Sequence, residues 1–293
     1  MEQIATIIAP TFFVIALGVV FGRVRKASVE TLIDVALYLA VPCLVLSNLT
    51  STPINLGDAG RLWTAALFAI FGPFLLAVVL FAAIRQKHSG LYLPTMFGNV
   101  VNIPFPIIYL AFGAAGLAQA IIYYVPTAIL TYTLGIYIAA GNKGLRQGLQ
   151  TMLKTPLLYA AVVGLILNFG HVALPKVLAD SLKFMGQAGV PLLLVVLGMN
   201  IGRIGFTRVR LTSAVSLIRV GGGFAFGLLV VTLLGLSGVS RSVVLFESAM
   251  PSAVFVSAIA IKYKNEAELV SSVTLMTTLA SIAVIPGLLF YLK

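Results

Sequence analysis

Apolar stretches of about twenty residues recur along the whole chain, separated by short loops, and they constrain the fold more than any other feature. A helix of that length crosses the hydrocarbon core of a bilayer, which is about 30 Å thick. Ten such spans can be read, at residues 4–22, 31–51, 62–84, 92–112, 117–140, 155–172, 184–202, 211–235, 242–262 and 269–291. The expected class is an all-α, multi-pass membrane protein. Composition points the same way. Only 9% of the 293 residues are charged and 60% are hydrophobic, whereas a soluble domain carries about 25% charged residues. No loop is long enough to hold an inserted soluble domain, so function is expected within the membrane part.

The net charge of +11 would suggest nucleic acid in a soluble protein. Here the basic residues sit in short loops, as membrane topology requires, and no nucleic-acid partner is expected. Thirteen Lys and Arg residues fall in loops 1–2, 3–4, 5–6, 7–8 and 9–10. Five (Arg61, Lys176, Lys183, Arg241 and Lys293) fall on the other face, and Arg219 lies inside a span. The bias places the five basic loops in the cytoplasm and both termini outside, in the cell (inner) membrane. Arg23, Arg25 and Lys26 follow the first apolar run rather than precede it, so that run is expected to be retained. A single cysteine, Cys43, excludes an internal disulfide, and two loop histidines, His88 and His171, cannot assemble a metal cluster. No cofactor is expected.

The chain also repeats. Pro10 and Pro156 are 146 residues apart, Arg61 and Arg208 are 147 apart, Pro42 and Pro191 are 149 apart, and Pro104 and Pro251 are 147 apart. The context of one pair matches as well, "AVPCLVL" against "GVPLLLV". Two halves of five spans follow, 1–145 and 146–293. Five is odd, so the second half is inverted relative to the first, an arrangement shared by many secondary transporters.

The stretch "GNVVNIPFPIIYLAFG" (Gly98–Gly113) places two asparagines and two prolines inside span 4. Span 9 carries "FESAMPSAVF", with Pro251 between Ser248 and Ser252. Proline removes a backbone donor and clashes with the preceding turn, so both spans are expected to break. Free peptide groups at membrane depth are tolerated only where protein or a water-filled cavity covers them. Half-helices ending near Asn99 and Met250 would point carbonyl ends at a crossing, and those beginning near Ile103 and Ser252 would point N–H ends there. Such a crossing could hold an anion and, optionally, a cation. The candidate substrate-binding residues are Asn99, Asn102, Pro104, Ser248, Pro251, Ser252 and Arg219. The simpler alternative is a pair of proline kinks capped by asparagine.

These features resemble the auxin efflux carrier family in its short bacterial form, which includes proteins described as malonate or malate carriers. The family's Asn and Pro in span 4 match Asn99 with Pro104 or Pro106, and its "A-x-P-x-A"-like break in span 9 matches "AMPSA" (Ala249–Ala253). Val101 and Asn102 depart from the small residues of the family pattern. The long cytoplasmic loop of plant carriers is absent. The related fold of bile-acid sodium symporters and sodium/proton antiporters is the nearest alternative. The resemblance implies an elevator-like carrier, with spans 1, 2, 6 and 7 as scaffold and spans 3–5 and 8–10 as the moving transport domain. It also admits a homodimer through the scaffold.

Two charges lie deep inside the spans. Arg219 lies nine residues after Arg210, about 13 Å along a helix, and its position in the first half is held by Gly72. Glu247 lies one turn before Pro251. They read either as a buried ion pair joining spans 8 and 9, or as working groups. In the second case Arg219 faces a substrate carboxylate and Glu247 is an ion-coupling group for H⁺ or Na⁺. Asp34 reads as a helix-start acid, Asn48 and Asn200 as caps or interface groups, and the "GGGF" run (Gly221–Phe224) as a site of close helix packing.

The best functional reading is a secondary transporter of small organic anions, with the lipid bilayer as its medium. The alternatives are a sodium-coupled symporter and a non-transporting sensor or channel. No Ser/His/Asp set or intramembrane histidine supports an enzyme.

Overall fold

The computed structural model describes residues 2–25, 27–53, 56–141, 146, 149–150, 153–154, 156–200 and 207–292. Among these, regular structure is helical throughout. The helices are α1 (Glu2–Val24), α2 (Val29–Val35), α3 (Val41–Ser51), α4 (Leu56–Ala83), α5 (Tyr92–Met96), α6 (Pro104–Leu130), α7 (Ile136–Ala139), α8 (Pro156–Phe169), α9 (Lys176–Gly186), α10 (Gly189–Asn200), α11 (Val209–Leu217), α12 (Gly223–Leu233), α13 (Gly238–Ser248), α14 (Val254–Tyr263) and α15 (Ala267–Leu292). Three five-residue π turns, Ala36–Ala40, Thr131–Gly135 and Ile218–Gly222, join α2 to α3, α6 to α7 and α11 to α12.

Among the described residues, five stretches are long and apolar enough to cross a membrane: Gly57–Ala83, Pro104–Ala139, Lys176–Val196, Val209–Leu233 and Ala267–Leu292. Four shorter apolar helices accompany them, at Phe13–Val24, Tyr38–Ser51, Pro156–Phe169 and Val254–Tyr263. Backbone breaks explain much of the difference from the ten expected spans. Spans 4 and 9 are each divided into two short helices. Conversely, Pro104–Ala139 contains Gly113 at φ 68° and ψ −164°, a conformation open essentially to glycine alone. That residue separates the end of expected span 4 from expected span 5.

The chain packs as two units. The first comprises Met1–Gly60, Val101–Val125 and Thr155–Arg203. Its packing rests on residues small enough for backbones to touch. A Cβ on Gly18 would collide with the Val195 carbonyl, one on Gly198 with the Ile15 carbonyl, and one on Gly22 would lie 3.2 Å from Met199. Gly18, Gly22 and Gly198 thus form a seam between α1 and α10, the small-residue device of helices that lack a hydrophobic drive to associate. Between α3 and α8, Gly164 lies under Leu49, and the Asn168 amide donates to the Leu49 and Thr52 carbonyls at 2.6 and 2.7 Å. Those carbonyls belong to the last turn of α3 and the residue after it, so Asn168 satisfies acceptors that the helix cannot.

The second unit comprises Arg61–Val100, Pro126–Lys154 and Ile204–Lys293. Its apolar core gathers Ile70, Leu93, Met96, Phe97, Val256, Ile259 and Val270. A second cluster joins Ala77, Phe81, Leu91, Val215 and Val273. One end is tied by polar bonds between its loops. The His88 Nδ1 lies 2.6 Å from Glu266 Oε1, the Gly90 N–H donates to Glu266 Oε2 at 2.8 Å, and the Asn265 amide donates to the Ile138 carbonyl. The glycine run behaves as expected at two positions: a Cβ on Gly222 would lie 2.8 Å from Leu76, and one on Gly223 would collide with the Ser248 carbonyl.

One minor expectation ends differently. Asp34 lies in the last turn of α2 and is exposed, so it is not a helix-start acid. Asn48 is buried with its Oδ1 lacking a hydrogen-bond partner among the described residues. The Asn200 side chain lies outside the described set.

Candidate functional site

Within the second unit, two apolar helices stop at the same place. α5 ends at Met96 and α13 at Ser248, and the residues beyond them run extended and antiparallel. Gly98 and Ser252 form an isolated bridge. The Asn99 N–H donates to the Pro251 carbonyl at 2.7 Å, and the Ala253 N–H donates to the Phe97 carbonyl at 3.0 Å. Peptide groups freed by one break are therefore paired by the other. The segment is buried: Phe97, Asn99, Met250 and Ser252 are each at most 5% exposed. All four half-helix ends fall within three residues of the positions expected from sequence.

The prolines play different parts. Pro104 is the first residue of α6, where a missing N–H costs nothing. Pro251 lies in the extended link, and its carbonyl accepts the Asn99 bond. The helices after the two breaks begin at Pro104 and Val254, so the two prolines sit differently in their breaks. Pro104 and the half-buried Asn102 belong to the first unit; Asn99, Ser248, Pro251, Ser252, Arg219 and Glu247 belong to the second.

α15 holds the span 9 link in place. The Ser252 N–H donates to Thr277 Oγ1 at 3.1 Å, the Ser252 and Thr274 hydroxyls lie 3.3 Å apart, and Ser257 donates to Thr274 Oγ1 at 2.8 Å. Thr274 and Thr277 also donate to carbonyls of their own helix. This hydroxyl cluster was not among the sequence candidates. Its signal was present in "SSVTLMTTLAS", where Thr274, Thr277 and Ser281 recur at three- and four-residue spacing on one helix face.

Arg219 sits in the π turn Ile218–Gly222 and is 2% exposed. Its guanidinium donates to backbone carbonyls. Nε reaches Met250 at 3.1 Å and Nη2 reaches Ser248 at 3.0 Å; Nη1 reaches Met96 at 3.1 Å, Thr95 at 3.2 Å and, at the limit, Ala69 at 3.5 Å. Four of these carbonyls lie at or just past the ends of α5 and α13, where a helix has no internal donor to offer. Hydrogen bonds to a charged group contribute about 1.5–3 kcal/mol each, set against the cost of burying the charge, and these bonds tie the ends of both helices to one side chain. Gly98 provides the room, since a Cβ there would lie 2.6 Å from Nη2.

Glu247 is fully buried, and neither carboxylate oxygen has a hydrogen-bond partner among the described residues. The buried pair therefore contains no hydrogen bond between Arg219 and Glu247; the two charges act on each other through space. Burying a carboxyl without donors is costly.

Sequence comparison places the chain in a family. A family profile described as "Membrane transport protein" matches residues 3–149 and 145–289, almost the full chain. The chain belongs to this family. It is the auxin efflux carrier-like family that the span 4 and span 9 motifs resemble. An uncharacterized transporter of Methanocaldococcus jannaschii is 28% identical over 281 residues, covering 91% of this chain and 90% of the relative. A second uncharacterized transporter, from Methanothermobacter thermautotrophicus, is 26% identical over 279 residues, with 91% and 90% coverage. The protein is thus a multi-pass membrane transporter of the membrane transport protein family. In this member, the π turn Ile218–Gly222 and helix α15 bring Arg219, Thr274 and Thr277 to the crossing.

Proposed function

We propose that the protein is a secondary carrier of small organic anions, mono- or dicarboxylates, working by elevator-like alternating access. In this reading it has ten spans in two inverted halves, 1–145 and 146–293, in the cell inner membrane with both termini outside. Spans 1, 2, 6 and 7 form the scaffold, and spans 3–5 and 8–10 form the transport domain. A homodimer would form through the scaffold. The observation that carries the proposal is the buried guanidinium of Arg219, held at the junction of two broken helices by bonds it donates to neutral carbonyls rather than to Glu247. A positive charge so placed favours an anion nearby, because low-dielectric surroundings screen it little.

The solute-facing candidates are Asn99, Asn102, Pro104, Ser248, Pro251 and Ser252. Arg219 acts on the anion from within its carbonyl cage, and Glu247 carries the coupling ion. The test is thermal stabilisation of the purified protein across a panel of small mono- and dicarboxylates, followed by uptake of any acid that stabilises. One acid is expected to raise the melting temperature of the wild type. Asn102→Leu and Pro251→Leu are expected to insert normally but lose the response and the uptake. Stabilisation by a neutral solute and by no acid would sink the anion reading.

A further inference from the structure

We propose that Arg219 is a built-in cation: its guanidinium takes the place between two helix ends that a coordinated alkali cation would occupy, so the crossing takes no Na⁺. The inference rests on reading the crossing as the transport site. Five neutral carbonyl oxygens, from Ala69, Thr95, Met96, Ser248 and Met250, converge on one charge. Converging carbonyls of this kind replace the hydration shell of Na⁺ or K⁺ where those ions bind protein. They arise here because two helices stop inside the unit and leave their last acceptors unpaired.

In this chain the positive charge arrives on a side chain instead. The planar fork of a guanidinium distributes its donors among several acceptors at once, and it never gives up its proton. The backbone is shaped for it on two sides. Gly98 leaves space beside Nη2, and Gly223 lets α12 approach the Ser248 carbonyl that Nη2 engages. An alkali cation among the same carbonyls would meet the guanidinium charge at contact distance, a repulsion that buried surroundings magnify. Glu247, which interacts with Arg219 through space, already offsets that charge when ionised. Na⁺ therefore has neither free ligands nor an uncompensated carboxylate at the crossing, and a proton on Glu247 is the coupling ion left to this site.

The experiment is thermal unfolding of the full-length purified protein in Na⁺, with choline at equal ionic strength as control and no organic acid present. The wild type is expected to melt at the same temperature in both salts. Arg219→Ala and Arg219→Gln empty the position of charge. Both are expected to melt lower and to recover, saturably, with Na⁺ or with millimolar guanidinium but not with choline. Arg219→Lys keeps the charge and is expected to remain indifferent to Na⁺. The Gln variant retains donors, so it answers the question if the Ala variant does not fold. A saturable Na⁺ response of the wild type overturns the proposal, as does a folded neutral variant that ignores both Na⁺ and guanidinium. Because no acid is present, these outcomes are independent of whether the carboxylate panel identifies a substrate.

Discussion

The seam between α1 and α10 and the crossing of the two breaks solve one problem in opposite ways. Each brings backbone against backbone in an apolar setting. At the seam the helices are unbroken, their peptide groups are paired internally, and close approach needs only that Gly18, Gly22 and Gly198 carry no side chain. At the crossing the helices are broken, and every freed group needs a partner: Phe97 and Pro251 for two N–H groups, Thr277 for a third, Arg219 for the carbonyls. Close packing is thus achieved in one place by subtraction and in the other by supply. A region assembled by supply carries polar groups and a charge at depth, which a transported solute can use.

Substitutions test this contrast, in order of expected effect. Arg219→Ala removes the donor shared by five carbonyls and is expected to destabilise the protein by more than about 5 kcal/mol, or to abolish folding, as read by thermal or denaturant unfolding in detergent. Gly198→Leu forces a side chain onto the Ile15 carbonyl and is expected to cost about 3 kcal/mol or more, with no polar group lost. If it were silent, the seam would not be close-packed. Thr277→Val keeps shape but leaves the Ser252 N–H without its acceptor, at a cost of about 1–3 kcal/mol. Glu247→Gln is expected to change stability little, because the lost attraction to Arg219 is offset by relief of a buried carboxylate that makes no hydrogen bond. It is expected to leave acid-induced stabilisation in place while ending accumulation driven by a pH gradient in vesicles. Accumulation unchanged in the Gln variant would remove Glu247 from coupling. Gly221→Ala is the control, since a Cβ there meets only Leu217 at ordinary distance; it is expected to be neutral or to stabilise by up to about 1 kcal/mol.

The sequence made some of this legible. Proline with asparagine in span 4, and proline with serine in span 9, announced both breaks, because no membrane helix tolerates lost donors without a local remedy. The half-helix ends followed from the same residues. The role of Pro251 did not, since a proline looks alike at a helix start and in an extended link. Arg219 stood out as a charge inside a span, yet the partner that sequence offered was Glu247, the nearest acid. Its actual partners are carbonyls, and every residue has one, so spelling does not reveal which are left unpaired. Thr274 and Thr277 were overlooked for a different reason: hydroxyls in membrane helices usually bond to their own backbone, and these do that as well.

The π turn Ile218–Gly222 gives Arg219 an unusual kind of address. A π turn holds one residue more than the α-helical count, so the flanking segments α11 and α12 absorb an extra step of about 100° between them. Deleting a single residue within the turn would restore an ordinary helix and preserve the span. It would also swing everything on one side of the deletion by that angle relative to the other. A chain shortened by one residue there would insert and look intact by length and hydropathy, while its guanidinium faced away from the carbonyls that define the crossing.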